Sequence, residues 1–145
     1  MPTEEMNKAT REEWRELGFF YDCDAGTKKW RLRGSRDGLL GFSRILSDYS
    51  RNPHNQKLSE HDHFGPYGYL EIGTWKAPEI TDHWICGSLE DLARLSQLVR
   101  DRVATANAGD VFAFRELYAP ESAYDLVLEV ADDQFDPAAA DKACW

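Results

Sequence analysis

The chain has 145 residues, of which 42% are hydrophobic and 30% charged, and its formal net charge is −9. These figures describe one ordinary folded domain, long enough to bury a core without disulfide or metal staples, and exclude a disordered or fibrous chain. The acidic balance disfavours nucleic acid and anionic membranes, which repel it, and favours a basic partner or simple solubility.

In chain order, Thr10-Arg11-Glu12-Glu13 has capping-box spacing and Gly18 stands where a helix would stop, so residues 1–18 read as an N-terminal helical segment. Phe19–Asp24 and Lys28–Arg33 flank the turn Ala25-Gly26-Thr27 and predict a hairpin, with Trp30 and Leu32 on one side and Lys29, Arg31 and Arg33 on the other. Ser35 then caps a helix whose stripe is Leu39, Phe42, Leu46 and Tyr49, ended by Arg51-Asn52-Pro53. His54–Pro66 is polar and punctuated, and reads as a loop. Tyr67–Trp75 and Asp82–Cys86 predict strands around a turn at Pro78. Ser88 caps a second helix carrying Leu92, Leu95, Val99 and Val103. Val111–Tyr118 and Ala123–Ala131 predict a last hairpin. An acidic tail, 132–145, follows, with Asp136 as N-cap and Pro137 opening a short helix.

The stretch Gly34-Ser35 to Phe42-Ser43 echoes Gly87-Ser88 to Leu95-Ser96. Each copy follows a strand pair, so the order is ββα-ββα-ββ. The expected fold is a single α+β domain of two layers, with a mostly antiparallel sheet of about six strands and two main helices on one face. A ferredoxin-like core is compatible with that order.

Strand alternation sorts the faces of that sheet. Leu70, Ile72, His83 and Ile85 should point inward; Tyr67, Tyr69, Glu71, Gly73 and Trp75, with Asp82, Trp84 and Cys86, should point outward. Solvated sheet faces normally carry Thr, Lys, Glu and Ser. Several Tyr and Trp residues there mark a binding surface, unless the N-terminal helix, the 54–66 segment or the tail covers them. The candidate interface is Tyr67, Tyr69, Glu71, Trp75, Asp82 and Trp84. The basic row Lys28, Lys29, Arg31, Arg33 and Arg36 could grip a phosphate, or pair with Asp125, Glu129 or Glu71 across the sheet.

His61 and His63 lie one residue apart on an extended segment and point the same way. His54, Asp62, Glu71 or His83 could complete a metal site, but no third ligand stands at a diagnostic spacing, so no metal or other cofactor is expected. No Gly-x-Ser-x-Gly or phosphate-cradling loop occurs, and no catalytic residue is assigned. Cys23, Cys86 and Cys144 are widely spaced and predict neither disulfides nor a thiolate metal site. No apolar run approaches the roughly 18 residues that span a bilayer, and the charged N-terminal stretch lacks a signal-like apolar region, so cytoplasmic residence is expected.

The stretches Ser59–Ile72 and Asp82–Leu92, together with Phe135-Asp136-Pro137-Ala138, resemble a group of small bacterial proteins. That group is similar in size and character to the immunity proteins of polymorphic toxin systems. The resemblance covers most of the chain, carries no catalytic motif, and implies a bacterial protein that acts by binding another protein. The expected function is therefore non-enzymatic: a protein-binding protein, such as an immunity protein that neutralises a basic toxin through an aromatic and acidic surface, with no nucleic-acid or membrane partner. The alternatives are a small metal-binding protein or enzyme using His61 and His63, a small-molecule-binding domain, or a homodimer sealed through the aromatic face.

Overall fold

A computed structural model describes residues 3–145. Its helices are α1 (Glu4–Leu17), α2 (Arg36–Arg51), α3 (Leu89–Val103), α4 (Arg115–Tyr118) and α5 (Pro137–Ala140). Its strands are β1 (Phe20–Asp24), β2 (Lys29–Gly34), β3 (His61–Phe64), β4 (Leu70–Thr74), β5 (Glu79–Ile80), β6 (Trp84–Gly87), β7 (Val111–Ala113) and β8 (Asp125–Val130). Among the described residues no helix is long and apolar enough to cross a membrane.

The two long helices form where the caps and stripes place them. The Ser35 side chain accepts from the Gly38 amide, and Leu39, Phe42, Leu46 and Tyr49 are buried. Ser88 and Asp91 make a complete capping box, and Leu92, Leu95, Val99 and Val103 are buried. The first helix begins earlier than its sequence signal. Thr3 is the N-cap, and Thr10 sits mid-helix with its hydroxyl donating to the Met6 carbonyl. Gly18 ends it at φ 93°, a left-handed turn that glycine accepts at no steric cost. The first turn of α2 packs so closely there that a Cβ at Gly38 would stand 2.0 Å from the Gly18 carbonyl oxygen.

The α+β class holds, but the single sheet of about six strands does not form. The strands make two four-stranded sheets, ordered β1-β2-β8-β7 and β3-β4-β6-β5. In each the outer pairs are antiparallel and the central pair, β2 with β8 or β4 with β6, is parallel. A ferredoxin-like core is absent for the same reason: its four strands would share one sheet, whereas β2 lies in a different sheet from β4 and β6. The polar 54–66 segment is also more ordered than a loop. It holds a 3-10 turn, Pro53–Gln56, and the edge strand β3.

The echo between Gly34-Ser35 and Gly87-Ser88 is a structural repeat. Its units are β1-β2-α2-β3-β4 and β5-β6-α3-β7-β8, and they exchange strands reciprocally. The first hairpin of each unit pairs with the second hairpin of the other. Corresponding backbone bonds recur: Ala131 N–H donates to the Gly34 carbonyl at 2.8 Å, and Trp75 N–H to the Gly87 carbonyl at 2.9 Å. Helices α2 and α3 pack together where the equivalent serines meet, the Ser96 hydroxyl donating to the Ser43 carbonyl at 2.6 Å. Trp30 and Leu32 face the core as expected, joined by Leu70, Ile72, Ile85, Leu126 and Leu128 from the central strands.

The N-terminal helix and the tail close over one end of this core. Arg15 makes two bonds to Asp136, whose side chain also caps α5 at Pro137. Asp141 is buried and accepts from the Trp14 indole at 2.9 Å and the Tyr67 hydroxyl at 2.5 Å. The acidic tail is therefore docked structure, and part of its charge is engaged internally.

Two outcomes follow from these contacts. Cleavage at a protease site engineered between Lys76 and Ala77, both exposed, should leave a non-covalent complex that still unfolds cooperatively. The separated pieces should each lack a cooperative transition, because every central strand has lost its parallel partner and only isolated hairpins remain. Burial pushes the Asp141 carboxyl upward, but bonds from Tyr67, Trp14 and the Ala143 amide outweigh it and hold the folded value below that of a free Asp. Its stabilisation is present above the unfolded value and lost as pH falls through the folded one. Asp141→Asn should cost about 1–3 kcal/mol near neutrality and flatten the acid limb of the stability curve, measured by denaturant unfolding at several pH values.

Candidate binding face

Strand β4 runs through the middle of its sheet, and its period-two alternation puts Glu71 and Gly73 on the face away from Leu70 and Ile72. Register then fixes their neighbours. Glu71 lies between His63 on β3 and Trp84 on β6, and Gly73 between His61 and Cys86. The Trp84 indole lies across Gly73, where a Cβ would come within 2.3 Å of the ring. Trp75 packs on Trp84 at 5.9 Å, His83 stacks on it at 5.6 Å, and the Lys76 ammonium sits 5.3 Å from the Trp75 ring.

At the other end of β4, Tyr67 and Tyr69 stack at 5.6 Å. Tyr69 is 68% exposed and Tyr67 43%. Trp75 and Trp84 are half-buried. The 54–66 segment contributes the neighbouring strand β3, with His61 and His63 themselves exposed. Tyr67 differs from Tyr69 in being tethered, through its hydroxyl to Asp141 and edge-on against Trp14. Asp82 is exposed beside His83, with its carboxylate 3.5 Å from the imidazole, and flanks the Trp end.

Two side chains differ in exposure from what the alternation suggests, although Cys86 keeps its outer-face register beside Gly73. His83 is exposed, because β6 begins only at Trp84 and the preceding segment is a bend. Cys86 is buried, and burial pushes its thiol up to about 12. Burial likewise pushes the Cys23 thiol up to about 11, so neither is an activated nucleophile near neutrality.

The face also gathers a polar cluster. Glu71 Oε1 lies 3.5 Å from His61 Nε2 and 3.4 Å from His63 Nε2. The other ring nitrogens are anchored, His61 Nδ1 on the Ser59 carbonyl at 2.9 Å and His63 Nδ1 on the Gly68 carbonyl at 2.8 Å. Neither His54 nor His83 joins this group. The signal that Glu71 belongs with the two histidines was available in the turn residues Gly65-Pro66. They permit a hairpin in which His63 faces Glu71, but the polar run around His61 reads as a loop.

The basic row on β2 is engaged elsewhere. Arg31 makes two bonds to Asp22, and Arg33 lies 3.5 Å from Glu129. Of the acids expected to pair with it, Glu129 does so, while Glu71 sits in the other sheet. An open cleft of about 470 Å³, lined by Pro78, Ile80, Ala119 and Pro120, shares no residue with the aromatic face. Another of about 520 Å³ borders it at Trp75 and Lys76.

Comparison with known protein families, with curated proteins and with solved structures finds no match for this chain.

Gly73→Ala tests the packing of the Trp end. The new methyl should displace the Trp84 indole, shift tryptophan emission, and cost about 1–3 kcal/mol of stability through overpacking.

Proposed function

We propose that the chain is a non-enzymatic protein-binding protein of the immunity-protein kind, which neutralises a basic protein toxin through the outer face of the β3-β4-β6-β5 sheet. The observation that carries this reading is the row of rings along β4 and β6. An exposed Tyr67–Tyr69 stack stands at one end and the half-buried Trp75–Trp84 pair at the other. Tyr and Trp offer large, rigid contact area and dominate interface energetics. Exposed Asp82 flanks the row at its Trp end. Carboxylates at the margin of such a surface speed encounter with a basic partner, while the rings supply the short-range affinity. Cytoplasmic residence belongs to the same proposal.

The test is binding to the toxin encoded beside this chain, together with protection of cells that express it. Tyr69→Ala and Trp84→Ala should each weaken the complex at least tenfold, which is about 1.4 kcal/mol. Asp82→Asn should slow association and flatten its salt dependence while leaving dissociation nearly unchanged. Binding weaker than micromolar, or binding indifferent to Tyr69 and Trp84, would remove the proposal.

A further inference from the structure

We propose that His61, His63 and Glu71 form a three-ligand site for a divalent cation of the zinc class, with the fourth coordination position open to solvent. The site is separate from the protein-binding reading and does not depend on it.

The distances come first. The three ligand atoms lie within 4.8 Å of one another. Glu71 Oε1 stands 3.5 and 3.4 Å from the two imidazole Nε2 atoms. Ligands about 2.1 Å from a tetrahedral ion lie about 3.4 Å apart. Neighbouring ligands of an octahedral ion at the same bond length would be about 3.0 Å apart, so the two Glu71–imidazole distances match the tetrahedral case better.

The hydrogen bonds come second. Each Nδ1 faces a backbone carbonyl, at 2.9 Å for His61 and 2.8 Å for His63. A carbonyl oxygen only accepts, so Nδ1 carries the proton in both rings. In a neutral ring Nε2 then presents a lone pair, and both Nε2 atoms stand close to the same carboxylate oxygen. Three electron-rich atoms converge at a position that suits a cation. A proton is a poor fit, since a charge-assisted N–H···O bond spans about 2.7–2.9 Å and one oxygen would have to serve both rings. An Nδ1–H anchored on a backbone carbonyl, with Nε2 free to coordinate, is also how protein imidazoles are oriented toward metals.

The surroundings come third. Among the described residues no Lys or Arg pairs with Glu71, although its side chain is only 18% exposed. Its neighbours are the two histidines and the flank of Trp84. The ligands sit on hydrogen-bonded strands in fixed register, His63 directly opposite Glu71, so little ordering is left to be done on binding. The fold itself does not require the cluster. The corresponding positions in the other sheet are Val111, Ala113 and Val127, which place no ligand atom there. Two imidazoles and one carboxylate suit zinc rather than calcium or magnesium, which take oxygen ligands.

The experiment uses the full chain with any affinity tag removed, titrated with zinc against a chromophoric chelator and separately with cobalt as a spectroscopic probe. One zinc per chain and an intense tetrahedral-type cobalt absorption are expected. Removing a group that only hydrogen-bonds a ligand typically costs about 10–100-fold in affinity, so loss of a direct ligand in His61→Ala or His63→Ala should cost at least the upper end of that range. Glu71→Gln keeps the side-chain shape and should weaken binding at least about tenfold, which keeps the test informative if an alanine variant fails to fold. His54→Ala, His83→Ala and Asp62→Asn should bind as the parent does. In histidine NMR spectra of the metal-free chain, His61 and His63 should show protonated Nδ1, and zinc should move only their Nε2 resonances. The proposal is overturned by an absence of equimolar zinc, by binding that survives Glu71→Gln and His63→Ala, by equal loss in His83→Ala, or by a weak octahedral-type cobalt spectrum.

Discussion

Two parallel strand pairs, β2 with β8 and β4 with β6, hold this molecule together, and each joins one repeat to the other. Neither repeat completes a sheet from its own strands. The first hairpin of each unit finds its parallel neighbour in the second hairpin of the other. Helices α2 and α3 cross between them at Ser43 and Ser96, whose short side chains allow close approach and a direct hydrogen bond. Further tethers run between the two sheets: the Trp30 indole donates to the Thr81 carbonyl, and the Tyr21 hydroxyl to the Phe64 carbonyl. Loop-closure entropy opposes such long-range pairing, and the buried stripes on both helices and all four central strands offset it.

Duplication of one backbone plan leaves two outer faces free to diverge. On the first sheet the face around Arg31 is an ion-paired surface, with Asp22 on one side and Val127 on the other. On the second sheet Trp84 stands where the first has Arg31, Glu71 where it has Val127, and His63 where it has Ala113. The same register that makes one face an ordinary solvated surface makes the other a row of aromatic rings around a polar cluster. Gly73 is part of that difference, since only a residue without a Cβ lets the Trp84 ring lie flat across the strand. The candidate face is thus a set of side chains placed on a scaffold that does not itself demand them.

Several local signals in the sequence match the structure, although Thr10 is no helix cap and the strand expected over Val111–Tyr118 stops at Ala113, where helix α4 takes over at Arg115. The Ser35 and Ser88 caps, the two helical stripes, the Trp30 and Leu32 alternation and the Asp136-Pro137 helix start all depend on neighbours within a turn or a strand. Strand partners were less legible. Leu70 and Ile72 on β4 present the same apolar alternation as Leu126 and Leu128 on β8, so nothing in the pattern says which of them pairs with β2. The β3 strand is polar because it is an edge with exposed side chains, and an edge strand of that kind looks like a loop. Half of the candidate site followed the same division. Tyr69, Trp75, Trp84 and Glu71 were placed by alternation, whereas the meeting of Glu71 with His61 and His63 depends on a pairing that local patterns do not specify.

The acidic balance also takes on a more specific meaning. Asp136 and Asp141 are occupied by Arg15, Trp14 and Tyr67, and bind the tail to the N-terminal helix. Asp82, exposed beside His83 and Trp84, is free to act in long-range attraction at the aromatic face.

Amide hydrogen exchange tests the reciprocal exchange of strands most directly. The Trp75 amide, bonded to Gly87, and the Ala131 amide, bonded to Gly34, report the two parallel pairs separately. If the repeats are interlocked, both amides open only with the whole molecule and share one opening free energy, which equals the global stability. If one sheet's amide exchanged through a markedly cheaper opening while the other stayed protected, the two sheets would be independent units and the interlocked account would be wrong.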